Sequence, residues 1–267
     1  MFWAALFVLS AVAQTKKIDS SKRAIICLTY DDALTSQLTK VIPQLDSVGL
    51  KATFFLPSIQ GSPISDVFGQ TPEPVIAGWS NAASNGHELA NHTLFHPCSE
   101  KFGWPKNFAI EGYSIDRIVR EVSIQNIFLS LIDPKRKKRA FAYPCNNYLI
   151  GDTDYSKIIK DKGLVTFART GGDKNSIFSD FKNLNTMKVP SWLVTEGTTL
   201  DELIEFAEKV KKAGGMGVYQ FHGIDGENFK ITSKTHEAFL NYLKAHQVDY
   251  WVTTFSEAME FITKKNP

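Results

Sequence analysis

The sequence lacks an excess of charge of either sign. Its 267 residues hold 30 lysines and arginines against 28 aspartates and glutamates, a formal net charge of +2. A nucleic-acid-binding protein carries a basic footprint instead, so no nucleic-acid partner is expected. The one basic run, 135–139, follows an Asp-Pro turn and precedes an apolar segment, which favours a solvated loop over a polyanion-binding patch.

Cysteine is also scarce. The three cysteines, Cys27, Cys98 and Cys145, have neither the spacing of a zinc knuckle nor that of a disulfide framework, and three cannot all pair within one chain. Cys27 lies in an apolar run and is expected to be a small buried hydrophobic residue. The sequence leaves open whether Cys98 and Cys145 pair.

No apolar run reaches the ~20 residues that a membrane span needs. Residues 1–13 are almost entirely apolar and end in Ala11-Val12-Ala13, although no basic residue precedes them. This pattern is typical of the apolar core and cleavage site of a signal peptide. We therefore expect residues 1–13 to be a signal peptide, with the mature chain beginning near Gln14. A secreted or periplasmic protein without a stable membrane span follows from this.

Beyond this leader, apolar strand patterns alternate with amphipathic helix patterns, without repeats, linkers or a sharp change in composition. The expected strands are 24–29, 52–56, 87–90, 139–143, 164–168, 186–189, 216–221 and 249–253. The expected helices are 34–48, 73–84, 111–131, 153–162, 199–212, 232–246 and 255–263. Repeated strand–helix units indicate a parallel sheet, and their number favours a closed arrangement. The sequence thus predicts an α/β fold: a distorted (β/α) barrel with about seven parallel strands, formed as a single domain by residues 20–265.

Polar residues follow five of these strands, at the point where each strand ends. They are Asp31 and Asp32, His92 and His96, Tyr143 with Pro144, Arg169, and His222. In a barrel of this kind the carboxyl ends of the strands meet on one rim, which carries the chemistry. We therefore expect these residues to converge on one site.

Two histidines and one carboxylate are enough for a three-ligand metal site with open coordination positions. His92 and His96 are spaced i, i+4, which places both imidazoles on one face of a helical turn. One aspartate of the pair Asp31-Asp32 would complete the set, and the other would serve acid–base chemistry or cap the following helix. The nucleophile motif G-x-S-x-G is absent from the sequence, so a covalent acyl-enzyme is not expected.

These residues carry a resemblance to the polysaccharide deacetylase family, also called carbohydrate esterase family four. Residues 29–33 (TYDDA) resemble its first motif, T-F-D-D-G, and residues 92–96 (HTLFH) match its second, H-S/T-x-x-H. Its third motif, R-P-P-Y-G, falls on residues 142–146, and residues 218–222 are similar to its late L-x-x-H motif. The resemblance runs from about residue 24 to about residue 255.

The resemblance implies a role for each matched residue. The ligands of a divalent metal, usually zinc in this family, would be Asp32, His92 and His96. Asp31 would act as the general base and His222 as the general acid, while the backbone N–H of Cys145 would help to bind the oxyanion.

The sequence also departs from the family motifs. Ala33 and Asn146 replace glycines, and Ala142 replaces the arginine that orients the base. The fourth motif, which tunes the acid histidine, has no clear match. Arg169 and the neighbourhood of Trp192 are the candidates to supply the missing groups. The expected oxyanion and substrate-binding residues are therefore Tyr143, Cys145, Arg169 and Trp192.

Three loops, 61–74, 97–110 and 170–185, could shape a substrate groove. Aromatic residues in the last two would either stack on sugar rings or fasten the loops to the barrel wall. They are Phe102, Trp104, Phe108, Phe178 and Phe181. Among the remaining histidines, His87 is expected to be a hydrogen-bonded core residue, whereas His236 and His246 are expected to face solvent.

The leading interpretation is a secreted, metal-dependent hydrolase that removes N- or O-acetyl groups from a glycan. An amidohydrolase acting on a small non-sugar amide and a non-catalytic glycan-binding relative are the alternatives. A two-histidine, one-carboxylate iron oxygenase is disfavoured because such enzymes usually have β scaffolds without alternating helices. The expected partner is an acetylated glycan. The expected cofactor is a divalent metal, and the family resemblance implies Zn²⁺. The oligomeric state is left open.

Overall fold

The structure, a computed structural model, describes residues 23–58 and 72–265. Its strands are β1 (Ala24–Asp31), β2 (Thr53–Leu56), β3 (Glu88–Asn91), β4 (Phe141–Ala142), β5 (Leu149–Ile150), β6 (Thr153–Asp154), β7 (Ala168–Arg169), β8 (Ile177–Phe178), β9 (Trp192–Leu193), β10 (Met216–Phe221) and β11 (Tyr250–Thr253). Its helices are α1 (Ile42–Val48), α2 (Pro72–Ser84), α3 (Ile115–Ile132), α4 (Ser156–Asp161), α5 (Leu200–Ala213), α6 (Ser233–Ala245) and α7 (Phe255–Lys265). A π-helical turn at Gln37–Val41 leads directly into α1.

Seven parallel strands curl into a half-barrel in the order β7-β4-β3-β2-β1-β10-β9. The eighth parallel strand, β11, lies beside the N-terminal half of β1, since Ala24 pairs with Tyr250, whereas β2 pairs from Thr29 onward. β8 is antiparallel to β10, and β5 and β6 form a separate two-stranded sheet. The expected distorted (β/α) barrel, formed as a single domain, is confirmed.

The strand expected at 186–189 is reduced to a single bridge. Val189 pairs with Arg169 in parallel, and its N–H donates to the Ala168 oxygen at 2.9 Å. Pro190, which has no backbone N–H, interrupts the ladder, and the strand resumes at Trp192 as β9 beside β10. The segment from Val189 to β9 therefore contacts strands at both ends of the curled sheet.

The central strand β1 shows how the two faces of the sheet are filled. All eight of its residues are buried, as expected for a parallel strand covered on both sides. Ile26 and Tyr30 pack into the apolar layer shared with the outer helices. Ile25 and Cys27 join the second cluster, to which α7 also contributes side chains. Because side chains alternate along a strand, Asp31 lies on the same face as Ile25 and Cys27.

The expected signal peptide, 1–13, and residues 61–71 of the first expected loop lie outside the described residues. Within residues 23–58 and 72–265, no helix combines the length and apolar character that crossing a bilayer requires.

Candidate active site

The second aspartate and the two histidines of the sequence motifs come together at the carboxyl ends of β1 and β3. Asp32 Oδ1 lies 3.2 Å from His96 Nε2 and 3.5 Å from His92 Nε2. One ligand atom from each residue lies within 4.8 Å of the other two. Two imidazole nitrogens and a carboxylate oxygen are ligands that zinc and related divalent ions take in proteins. The three residues thus fit the metal that the resemblance implies.

The loop that carries the histidines differs from the expected helical turn. Thr93 and His96 have left-handed φ angles of 65° and 49°. The Thr93 N–H donates to Asn91 Oδ1 at 2.8 Å, and the His96 N–H donates to Thr93 Oγ1 at 2.9 Å. These side-chain acceptors replace helical backbone hydrogen bonds, so an irregular loop brings the two imidazoles together.

The protonation states of these groups suit metal binding. His92 Nδ1 lies 2.8 Å from the Ala142 carbonyl oxygen, which can only accept, so Nδ1 donates there and Nε2 is the nitrogen that faces Asp32. Burial lowers the pKa of His96 to about 4, which makes this ring neutral at pH 7. Burial alone would raise the pKa of Asp32, but the neighbouring imidazoles, that of His96 first, hold it below its ordinary value.

The first aspartate is held apart from these ligands. Asp31 is 1% exposed, and its Oδ2 accepts hydrogen bonds from Arg169 Nη2 at 2.6 Å and Gln220 Nε2 at 3.0 Å. Its Oδ1 has no hydrogen-bond partner among the described residues. Ser191 connects the two donors, because its Oγ accepts from Arg169 Nη1 at 3.0 Å and lies 3.1 Å from Gln220 Oε1. One carboxylate oxygen is thus fixed by two donors, whereas the other is buried without a hydrogen-bond partner among the described residues.

His222 follows β10 and completes the polar cluster. Its Nε2 lies 3.9 Å from Asp31 Oδ2 and 3.9 Å from Asp32 Oδ2. The ring packs against Phe229 with centroids 5.0 Å apart. Among the described residues, no group hydrogen-bonds its Nδ1. The side-chain amide of Gln37 donates to the backbone oxygens of Asp31 and His222, which ties the two strand ends together.

Comparison with known families agrees with this arrangement. Residues 18–166, more than half of the chain, match the family model described as polysaccharide deacetylase. The chain belongs to the polysaccharide deacetylase family. No match was found among curated proteins.

Solved structures share the fold at low sequence identity. The Xyl-CE4 domain of a multidomain xylanase from the hindgut metagenome of Trinervitermes trinervoides is 16% identical, with a TM-score of 0.53 over 89% of this chain and 90% of that chain. Peptidoglycan deacetylase PdaC from Bacillus subtilis is 14% identical, with a TM-score of 0.55 over 92% and 94%. A mutant of BA3943, described as a CE4 family pseudoenzyme with restored enzymatic activity, is 16% identical, with a TM-score of 0.56 over 90% and 68%.

The structure shows the consequences of two departures from the family motifs, at Ala142 and at Ala33. Arg169 is the register partner of Ala142 across the β4–β7 ladder, so a guanidinium reaches Asp31 from the neighbouring strand instead of from position 142. Ala33, in place of the motif glycine, has a φ of 55°. This substitution places a non-glycine residue in the left-handed region, where a side chain is disfavoured.

The third motif region is tied covalently to the histidine loop. Cys98 and Cys145 form a disulfide with their Cα atoms 5.7 Å apart, which answers the question that the sequence left open. Cys27 is free and buried, as expected.

A cavity of about 740 Å³ opens over the cluster. Besides Asp31, Asp32, His92, His96 and His222, its wall includes Phe102, Trp104, Cys145, Asn146, Leu193, Glu196, Gln220 and Phe229. The aromatic residues of the 97–110 loop therefore divide between two environments, because Phe108 packs on Phe95 instead. In the 170–185 loop, Phe178 and Phe181 pack against the second apolar cluster.

Two of the expected substrate-binding residues lie in the core. Trp192 is 4% exposed and packs against Phe206 and Tyr219. Tyr143 is 1% exposed, and its hydroxyl donates to the Met187 oxygen at 2.8 Å. Neither side chain is part of the cavity wall described above, whereas Cys145 is. Arg169 is not part of the wall either, and it connects to the cavity through its ion pair with Asp31.

Sequence reasoning missed Gln37, Ser191, Gln220 and Phe229. Gln220 precedes His222 by two residues at the end of β10, so strand alternation places both on the same face. That alternation was a usable signal. Ser191 and Gln37 act through hydrogen bonds to residues far away in the chain, and no local pattern marks them.

Proposed function

We propose that the protein is a metal-dependent hydrolase that removes acetyl groups from a glycan. The observation that carries this proposal is that the two adjacent carboxylates have different surroundings. Asp32 faces His92 and His96, whereas Asp31 Oδ1 has no hydrogen-bond partner among the described residues. Membership of the polysaccharide deacetylase family supports deacetylation as the reaction class.

Asp32, His92 and His96 would hold the metal, for which we propose zinc. A divalent cation there would supply Lewis acidity toward the acetyl carbonyl and lower the pKa of a bound water to about 7. The chain's own part is to present two imidazole nitrogens and one ionised carboxylate. The hydrogen bond from His92 Nδ1 to the Ala142 oxygen keeps the His92 ring in the orientation that presents Nε2.

In this proposal Asp31 is the general base. Arg169 and Gln220 both bind Oδ2, so the proton of the attacking water goes to Oδ1. Two donors on one oxygen also fix the carboxylate plane, which reduces the reorganisation needed during proton transfer. Arg169 is a positioning residue here, because it acts on the substrate only through Asp31.

His222 is the proposed general acid. Its Nε2 lies 3.9 Å from an oxygen of each aspartate, which places the ring within reach of a leaving group bound above them. Phe229 covers one side of the ring. Cys145 is part of the cavity wall. Its backbone N–H is proposed to donate to the acetyl oxygen that gains negative charge as water attacks.

The rim of the cavity favours a glycan over a small amide. Phe102 is 59% exposed and Phe229 is 49% exposed, although both line the cavity. Exposed aromatic faces at the edge of a site can stack on sugar rings that extend beyond the reacting residue. A small amide would fit inside the cavity without contacting these exposed aromatic faces.

The test is acetate release by the full chain after loading with zinc. Acetylated xylan, chitin oligomers and peptidoglycan serve as glycans, and acetylated small amides serve as the comparison. We expect acetate from at least one glycan, loss of that activity on chelation and its return when zinc is restored. A zinc-loaded protein that releases acetate from none of the glycans contradicts the proposal.

We also propose that the protein is exported and that residues 1–13 are removed, because their pattern is that of a signal peptide. N-terminal sequencing of the protein from the medium or periplasm should give a start near Gln14. A protein found only in the cytoplasm with Met1 retained would contradict export.

A further inference from the structure

The disulfide joins two segments that flank the metal ligands. Cys98 is two residues beyond His96, at the end of what we call the ligand loop, residues 92–98. Cys145 lies in the Cys145 turn, residues 143–147, which begins one residue after Ala142. The Ala142 carbonyl oxygen lies 2.8 Å from His92 Nδ1. Both segments therefore border the same site.

The ligand loop has anchors other than the disulfide. Cys98 is fully buried, and its carbonyl oxygen accepts from the Ile110 N–H at 2.9 Å. The His96 N–H donates to Thr93 Oγ1 at 2.9 Å, and Trp104 Nε1 donates to the His96 oxygen at 2.8 Å. The ligand loop is thus held by hydrogen bonds at Cys98, where the disulfide begins, and at His96.

The two ends of the Cys145 turn are anchored to the core, because the Tyr143 hydroxyl donates to the Met187 oxygen and the Tyr155 hydroxyl donates to the Asn147 oxygen at 2.9 Å. Its centre has fewer anchors, with one long hydrogen bond from Thr170 Oγ1 to the Asn146 oxygen at 3.4 Å. Cys145 and Asn146 have φ angles of 49° and 58°, two consecutive left-handed residues that are not glycine. Such a conformation persists where the surrounding structure holds it. The Asn146 and Asn147 N–H groups donate to the Tyr143 and Pro144 oxygens, so these two hydrogen bonds stay within the turn. The disulfide connects the centre of the turn, at Cys145, to the anchored ligand loop.

We infer that the Cys98–Cys145 disulfide is a positioning device that holds the Cys145 N–H against the metal-ligand loop and thereby sets turnover without setting metal affinity. The inference rests on the proposed function, since it concerns the same site. Both cysteines act through the backbone that they hold in place.

Reduction tests this directly. A water-soluble phosphine transfers two electrons to the disulfide, the S–S bond breaks, and both sulfurs take a proton from solvent. The phosphine becomes its oxide with an oxygen from water. It is removed by desalting under argon before zinc is added, so that it does not compete for the metal.

We expect reduction to lower kcat by about tenfold or more, since a displaced oxyanion donor is worth up to ~100- to 1,000-fold. KM and the zinc dissociation constant should stay within about threefold of their oxidised values. Amide hydrogen exchange should become faster in residues 145–147 and stay unchanged in residues 93–96. Reoxidation should restore kcat. Cys27→Ala, which removes the remaining free cysteine, should respond to the phosphine as the wild type does.

A double variant, Cys98→Ser with Cys145→Ser, should reproduce the reduced protein. Equal turnover in the oxidised and reduced proteins would overturn the inference and leave the proposed function intact. Loss of zinc affinity on reduction would also overturn it, because the link would then hold the metal ligands themselves. An oxidised protein that is inactive on every glycan would reject the proposed function and this inference together.

Discussion

Arg169 lies directly beside Ala142, as its register partner in the parallel ladder between β7 and β4. From there its guanidinium reaches Asp31 Oδ2 at 2.6 Å. The arginine that the family motif places at position 142 is therefore supplied from the neighbouring strand. The side chain is fully buried, and it also donates to Ser191, so its orientation is fixed at both ends.

Arg169→Met should lower kcat by about 100-fold or more at pH 7, within the range for a lost general base. Without the guanidinium, only Gln220 holds Asp31 Oδ2, so the carboxylate loses the orientation that the proposed base needs. Steady-state kinetics at pH 7 measure the effect. Arg120→Met, at an exposed helical ion pair with Asp116, is the matched control and should leave kcat unchanged.

Moving the arginine back to the motif position should restore part of the activity. Arg169→Ala removes the guanidinium and leaves space beside Ala142, whose side chain points to the same buried region. Adding Ala142→Arg should raise kcat about tenfold or more above the Arg169→Ala single variant. A folded double variant that is no faster than the single variant would contradict this prediction, since an arginine at position 142 would then not replace Arg169.

Local patterns predicted the elements whose apolar runs are continuous. The expected strand 216–221 coincides with β10, and the expected strand 24–29 is extended by two residues in β1. The region 186–193 was harder: the strand expected at 186–189 is only a bridge at Val189, and β9, which follows Pro190, was not expected. A sequence pattern shows an apolar run but not which residues find a ladder partner.

The site was predicted to the extent that it depends on strand order. Five strand ends supplied its residues because parallel strands share one carboxyl edge. The expectation that His236 faces solvent was wrong: it is fully buried and lies 2.7 Å from the Tyr30 hydroxyl. Its spacing of three and four residues from Phe239 and Leu240 on α6 was a signal of that buried face. The expectation for His87, a hydrogen-bonded core residue, is confirmed.

His236 should make the protein less stable in acid. Burial lowers its pKa in the folded protein to about 3, whereas the unfolded chain has a pKa of about 6.5. Between these values the unfolded state binds more protons, so the free energy of unfolding falls as pH drops below 6.5. This group alone contributes a slope of up to about 1.4 kcal/mol per pH unit, which disappears below about pH 3.

Urea unfolding of metal-free protein between pH 7 and 4.5 measures this slope. His236→Gln should reduce it, even if the lost hydrogen bonds to Tyr30 and Gln44 lower the stability at pH 7. His246→Gln, at the opposite, C-terminal end of α6 and partly exposed, is the control for removing a histidine from this helix. An identical slope in wild type and His236→Gln would contradict the prediction.

Phe102 should contribute to binding of long substrates. Phe102→Ala removes an exposed aromatic face at the cavity rim and should raise KM for acetylated oligosaccharides by about two- to tenfold, with kcat unchanged. A monosaccharide substrate should show a smaller effect, because it does not reach the rim. Leu131→Ala, an exposed apolar position on α3 outside the cavity wall, should have no effect on either substrate.

The most direct test of the account compares the two adjacent aspartates by zinc content and acetate release in the same preparations. Asp31→Asn should keep about one zinc per chain and lose kcat by about 100-fold or more, because the base is gone and the ligands are intact. Asp32→Asn should lose zinc affinity and, with it, activity at low metal concentration. The account is contradicted if Asp31→Asn loses zinc, or if it retains wild-type turnover with zinc bound.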